Sequence, residues 1–376
     1  MDSDIRIIGI EPSFKADRLR VPLKFGKVIV TDSTSLIVKA IVENEKGAVA
    51  EGLGAMPLSD KWAFPDPSVS DEKKLKTMKL IGERTCRMLE NQYGNVFFHP
   101  IDMMLGAKKN IIEVVEDVEK EVGLGARMPQ LGILVATSPI DAALHDAFGR
   151  VNGICSYDGY GRDHMKHDLS FYLGDEFQGM YISDFLRPQY STELFVFHLV
   201  GALDKLTSDE VDASDPRDGM PVTLEEWIDR DGVFCLKVKL SGTDIDWDVK
   251  RTKAIAEIAS ETLKRRGQER FYLSADANEM NQSPDTTIEY LRRLRNASRL
   301  AFDNLLYLEQ PTERDLTSHM FSMNEVAKIK PVLVDEGVTD IESLDLALGL
   351  GWSGLAAKTC KWHSSSLLYI AKMEHY

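Results

Sequence analysis

The chain has 376 residues, 43% of them hydrophobic and 28% charged, and Lys+Arg 45 against Asp+Glu 60 gives a formal net charge of −15. That length suits two domains better than one, and the composition is that of a folded globular chain, neither collagen-like nor low-complexity. An acidic chain repels phosphate backbones and anionic lipid, so neither a nucleic acid nor a membrane is the expected partner. No run of about 18 apolar residues is present, and Met1–Arg6 has no apolar signal core. Cys86, Cys155, Cys235 and Cys360 are scattered, without a C-x-x-C pair, and read as reduced thiols used mostly for packing. A cytoplasmic location follows as the expectation.

Residues 5–11 (IRIIGIE), 35–43 (SLIVKAIVE) and 48–54 (AVAEGLG) read as strands, with Asn44-Glu45-Lys46-Gly47 as a hairpin turn between the last two. The period then changes. Over 71–92, Leu75, Met78, Leu80, Ile81, Thr85, Met88 and Leu89 fall on one helical stripe. Residues 110–121 are a second helix candidate, and Ser138-Pro139 is an N-cap and first-turn pair opening a third, SPIDAALHDAFGR. This pattern predicts an α+β domain over residues 1–140.

From about residue 168 short apolar strands alternate with helices: 169–173, 233–240, 271–275, 305–308, 331–334 and 354–357. Continuous apolar strands alternating with helices predict a parallel sheet covered by helices, here a (β/α) barrel over 141–376. Residues 174–232 interrupt it as a long, partly acidic insertion, either a solvated excursion or a lid or partner surface.

The chemistry collects where these strands end. The second ends in Lys237-Val238-Lys239, the third in Asp276-Ala277-Asn278, the fourth in Glu309-Gln310-Pro311, the fifth in Asp335-Glu336-Gly337 and the sixth in Lys358. Strand ends of a parallel barrel lie on one face, the face that carries active sites, and neighbouring strands are about 4.8 Å apart. Asp276, Glu309 and Asp335 are therefore expected to converge, which calls for a cation; an all-oxygen set suits Mg²⁺ better than Zn²⁺. Lys237 and Lys239 share one strand face, and mutual repulsion with burial is expected to lower the pKa of at least one of them, making a general base. Lys358 is expected on the other side of the metal. Such a site would allow abstraction of the proton α to a substrate carboxylate, and a bound metal would stabilise the enediolate. Lys361 reads equally as a supporting residue or a surface lysine.

These motifs, K-x-K at Lys237–Lys239, D-A-N at Asp276–Asn278, E-Q-P at Glu309–Pro311, D-E at Asp335–Glu336 and K-x-x-K from Lys358, resemble those of the enolase superfamily, specifically its muconate lactonizing enzyme-like (mandelate racemase/muconate lactonizing enzyme) subgroup. The resemblance implies a capping domain joined to a TIM-type barrel, Mg²⁺ on Asp276, Glu309 and Asp335, and Lys239 and Lys358 as acid/base residues, with Lys237 beside them. It implies a small carboxylate substrate, a racemase, epimerase or cycloisomerase outcome, and allows a homo-oligomer. It also implies loops at Arg18–Lys27 and Gly52–Met56 that close over the substrate. Alternatives are a lyase such as a dehydratase, or a non-catalytic homologue. Three departures stand out. Six barrel strands are legible where the family has eight, so a longer chain or a covering partner is expected. The 174–232 insertion is long for the family. Trp362-His363-Ser364-Ser365 replaces a Gly-rich turn.

Three further signals are set aside. Gly349–Gly354 matches G-x-G-x-x-G but precedes a strand rather than following one, so it reads as a helix stop. His164 and His167 lack completing ligands. His145 reads as a packing residue and His363 as a candidate substrate contact.

Overall fold

Two compact units make up the chain, neither continuous in sequence: Met1–Asp17, Asp32–Tyr190 and Ala357–Tyr376 form the first, Arg18–Thr31 and Ser191–Ala356 the second. The computed structural model describes residues 1–25 and 28–376. Gly26 and Lys27, the end of the first segment expected to close over substrate, lie outside the described residues. The boundary expected at residue 140 falls inside one continuous helix, Gln130–Asn152.

The first three strands, β1 (Ile5–Phe25), β2 (Val28–Asn44) and β3 (Val49–Pro57), form a sheet in that order. The β2–β3 pair is antiparallel, from Ser35 opposite Pro57 to Glu43 opposite Val49. Its turn is the expected one. Asn44 Oδ1 accepts the amides of Lys46 and Ala48, and Gly47 sits at φ 80°, a conformation open to glycine. Leu36, Val38, Ala40 and Val42 alternate into the core. The strands run further than their apolar cores suggested: Arg18–Phe25, expected as a loop, continues β1.

Helix α1 (Asp71–Tyr93) is capped by the Ser70 hydroxyl, which accepts the Lys73 amide, and buries Met78, Ile81, Thr85 and Leu89 as the stripe predicted. Helix α2 is Lys108–Val122 and helix α3 is Gln130–Asn152. The expected start of α3 at Ser138 is wrong. Residues 131–137 (LGILVAT) are buried on every side, so they carry no amphipathic period to read. Pro139 sits inside the helix, where Thr137 and Ser138 donate their hydroxyls to the carbonyls of Ile133 and Val135.

Gly52–Met56, expected as a second closing loop, is instead the heart of β3, laid against α3. A Cβ on Gly54 would stand 2.0 Å from the Pro139 carbonyl oxygen, and one on Gly52 would stand 2.3 Å from that of Ala143. These glycines let the strand touch the helix backbone.

In the second unit β4 (Phe197–Val200), β5 (Cys235–Lys239), β6 (Tyr272–Asp276), β7 (Leu305–Glu309), β8 (Val332–Val334) and β9 (Gly354–Leu355) make a six-stranded parallel sheet in chain order. Helices α4 (Leu224–Asp231), α5 (Ile245–Arg265), α6 (Pro284–Ala297) and α7 (Ile341–Gly349) alternate with them. This is the expected class, an α+β part followed by a (β/α) part.

Six parallel strands were expected, but the first is a different one. Leu169–Leu173 holds the short helix Ser170–Leu173, because Asp168 accepts the amides of Ser170 and Gly179 and bends the chain. The true first strand, Phe197–Val200, and helix α4 come from within the supposed 174–232 insertion. Arg20 ties this region down: it donates to both carboxylate oxygens of Asp218 and to the carbonyls of Met220 and Pro221. Arg20, His198, Val200, Leu203 and Trp227 help line a cavity of about 580 Å³ there. No helix among the described residues is long and apolar enough to cross a membrane.

Gly54→Ala should lower the urea midpoint of unfolding, with a loss of about 1–3 kcal/mol, because the added methyl overpacks a backbone contact that cannot yield. An unchanged midpoint in equilibrium denaturation would show that β3 is not seated on α3.

Candidate active site at the parallel-strand ends

The register of the parallel sheet decides which side chains share a face. Lys239, Asp276 and Glu309 are successive Cα partners across β5, β6 and β7, and Leu333 continues the row on β8. Lys237, Ser274 and Tyr307 form the row beneath. Side chains two residues apart on a strand point the same way, so both rows face one side.

Lys239 Nζ donates to Asp276 Oδ2 at 2.5 Å and to Asn278 Oδ1 at 2.9 Å. Lys237 Nζ lies 3.0 Å from Asp276 Oδ2 and 2.6 Å from Glu309 Oε2. Asp276 Oδ1 accepts the Asn278 amide. Asp276 and Glu309 are 1% and 4% exposed, and a buried ionised carboxylate costs several kcal/mol unless it is paired. Burial alone would raise the Asp276 pKa; the Lys239 and Lys237 ammonium groups outweigh it and hold the carboxyl below its ordinary value. Both lysines, expected on one strand face, meet carboxylate there.

Asp335 lies one residue beyond β8, two beyond Leu333, and is 1% exposed. Gln310 fixes its backbone: Gln310 Oε1 accepts the amides of Asp335 and Gly337, and Gln310 Nε2 donates to the Thr312 carbonyl. The strand-end loops are stitched together by Glu279 N to Gln310 O and Asn281 N to Pro311 O, and Arg314 Nε bonds Glu279 Oε1 at 2.6 Å. Asn278, Glu279 and Gln310 have φ of 44°, 66° and 32°. Three non-glycine residues in the left-handed region at adjacent strand ends are strain of the kind that gathers at functional sites. Sequence reasoning quoted Asn278 and Gln310 only as parts of motifs and missed Ser274, Glu279 and Arg314. The one available signal was closeness in sequence to the acids: Ser274 two residues before Asp276, Glu279 three after it, and Arg314 five after Glu309.

The structure thus brings Lys237, Lys239, Asp276 and Glu309 together. Among the described residues no group of three or more His, Cys, Asp or Glu side chains is placed to hold a metal ion. The donor chemistry nonetheless suits a hard cation, since the acids are oxygen-only and buried, and two of them already share one positive charge, that of Lys237. Lys358 belongs to the first unit. There its Nζ stands 5.4 Å from the centre of the Trp62 ring, and its carbonyl accepts the Ser366 hydroxyl. Lys361 is buried in the same unit.

His363 opens helix α8 (His363–His375) in the first unit. Its Nε2 meets Tyr160 OH at 3.0 Å, and the same hydroxyl meets His145 Nδ1 at 2.8 Å. Ser364 binds Asp141 through its amide and hydroxyl, and its Oγ lies 2.9 Å from His145 Nε2. His145 is more than packing, because it joins α3 to α8. Gly349 ends α7 and Gly351 sits at φ 86° before β9, the helix stop expected of that glycine run. None of the four cysteines forms a disulfide among the described residues; Cys155 is exposed, and the other three are buried.

No family model matches the chain, and no curated protein does. Solved structures do. A dipeptide epimerase from Cytophaga hutchinsonii, complexed with Mg and the dipeptide D-Ala-L-Val, matches at TM-score 0.57 and 15% identity over 98% of this chain and 77% of that one. A 2-chloromuconate cycloisomerase from Rhodococcus opacus matches at TM-score 0.56 and 17% identity over 98% and 78%. A muconate lactonizing enzyme from Pseudomonas fluorescens, complexed with muconolactone, matches at TM-score 0.55 and 14% identity over 99% and 78%. This chain has the fold of those enzymes. The resemblance carried by the strand-end motifs and the likeness of the backbones therefore point to one architecture, the capping domain with a TIM-type barrel.

Burial, with neighbouring histidines, pushes the pKa of His99 down to about 3 and that of His363 to about 4. In the unfolded chain both titrate near the ordinary value of about 6.5. Stability is then full above pH ~6.5 and falls as pH drops toward ~4, where the unfolded chain binds protons that the folded one refuses. His99→Phe should shrink the stability difference between pH ~6.5 and ~5 by about 2 kcal/mol relative to the parent. Urea midpoints at the two pH values check this, and an unaltered difference would place the histidine's titration elsewhere.

Proposed function

We propose that this chain is a Mg²⁺-dependent enzyme that removes the proton α to the carboxylate of a small substrate, with isomerisation (racemisation, epimerisation or cycloisomerisation) as the outcome. The observation that carries the reading is the strand-end cluster, in which Lys239 is held between Asp276 and Asn278 while Lys237 spans Asp276 and Glu309. The fold shared with epimerases and cycloisomerases supports it.

In this reading Asp276, Glu309 and Asp335 hold the metal. When bound, Mg²⁺ supplies positive charge that stabilises a carboxylate substrate after its α-proton has gone. Lys239, as the neutral amine left once its ammonium has given a proton to solvent, takes that proton. Its amine hangs from a strand rather than a loop and is oriented by two acceptors, so the base is positioned in advance. Asn278 contributes a neutral acceptor that orients Lys239 without adding charge, and Asp276 adds the negative charge that offsets it. Lys237, a second cation on the same face, attracts the substrate's carboxylate toward the strand ends. Gln310 keeps the Asp335 backbone in register with β7. Lys358 enters the proposal on its motif alone, as the group that returns a proton.

The experiment is α-proton exchange in D₂O with Mg²⁺, followed by ¹H NMR over a panel of N-acylated amino acids, dipeptides and unsaturated dicarboxylates. The wild type should incorporate deuterium at the α-carbon of at least one class, and chelation should stop it. Lys239→Ala should lower the exchange rate on the order of 10²–10⁴-fold, the usual worth of a positioned base. Exchange that survives this substitution would remove Lys239 from the role. Loss of water from the substrate would assign a lyase instead, and no exchange with any class would leave a non-catalytic homologue.

A further inference from the structure

We infer that Lys237 serves as an internal stand-in for the metal: its ammonium closes the acid cluster while no divalent cation is bound, and it moves to the Ser274 hydroxyl when one enters. The inference rests on the proposed metal role of Asp276 and Glu309 but concerns how that site loads. Lys237 Nζ is 3.0 Å from Asp276 Oδ2 and 2.6 Å from Glu309 Oε2. Lys239 Nζ also lies on Asp276 Oδ2, at 2.5 Å, but Lys237 is the lysine that spans both acids, the place a cation shared by them would take, and an ammonium and a divalent ion repel at such range. Loading the site therefore means releasing Lys237.

The released ammonium, part-buried at 18% exposure, has a further hydrogen-bond acceptor beside it in the sheet. Ser274 supplies it. Ser274 is the direct Cα partner of Lys237 across β5 and β6, so the two side chains share a face about 4.8 Å apart in backbone spacing. Its side chain is wholly buried, and its Oγ makes no hydrogen bond among the described residues. A hydroxyl buried without a partner is a cost, which the exchange relieves.

The test measures Mn²⁺ binding to the full chain by the loss of free-ion EPR signal, together with thermal unfolding of the metal-free protein. Lys237→Met should bind Mn²⁺ about tenfold more tightly or better, once its competitor is gone. The same variant should unfold at lower temperature without metal and recover when Mn²⁺ is added. Simple repulsion by a nearby charge would tighten binding without that loss in the metal-free state, and that result overturns the inference. Ser274→Ala, a smaller change, should leave metal-free unfolding unchanged or raised and weaken Mn²⁺ binding about three- to tenfold. Unchanged Mn²⁺ affinity in Ser274→Ala overturns the hydroxyl's part. Wild-type protein that binds Mn²⁺ while Lys237→Met binds no better overturns the inference but leaves the metal reading standing. No Mn²⁺ binding by either overturns both.

Discussion

Charge compensation among side chains projecting from adjacent parallel strands governs this molecule. Asp276 and Glu309 are buried acids, and two lysines of β5, one strand from Asp276 and two from Glu309, bring the cations that allow them to stay ionised. Neither pair would meet without the register of β5 on β6 and β6 on β7, which sets Lys239, Asp276 and Glu309 in one row. A slip of one residue would turn every one of these groups to the opposite face. The apolar residues between them, Leu236, Val238, Leu273, Ala275 and Leu308, are buried on the other side and so hold the chemistry in place by packing.

Much of this could be read in the sequence, for a definable reason. Strand ends carrying Lys, acid, acid, acid are legible because a parallel sheet repeats one geometry at every strand, so matched positions mean matched places. The same logic gave the hairpin at Asn44–Gly47 and the stripe of α1, where local patterns coincide with burial. Reading failed where burial removed the pattern. Residues 131–137 are apolar on all sides and hid the true start of α3. Phe197–Val200 sits in an apolar run (LFVFHLV, 194–200) overshadowed by the acidic stretch that follows it, while Leu169–Leu173 looked like a strand until the Asp168 side chain bent it into a turn.

Within the site, ionisable residues were visible and their supports were not. Gln310 reaches across to the amides of Asp335 and Gly337, a long-range bond that no spacing rule announces. Ser274 looks in sequence like any strand serine, and only the register sets it beside Lys237. The Gly52 and Gly54 contacts with α3 are equally silent, since glycine in a strand is usually read as weakness and here it is the condition for close approach.

The anchoring of Arg20 carries a practical consequence for dissecting the protein. Its guanidinium satisfies four acceptors on residues 218–221, almost two hundred positions away along the chain, and the stretch that bears it, Arg18–Thr31, is grouped with Ser191–Ala356. A fragment cut anywhere between those segments would strip the C-terminal piece of a clasp threaded in from the N-terminal side. The sheet bearing the acids is thus not a module that can be excised at one point; a fusion linking residues 18–31 directly to residues 191–356 would keep the grouping that a truncation breaks.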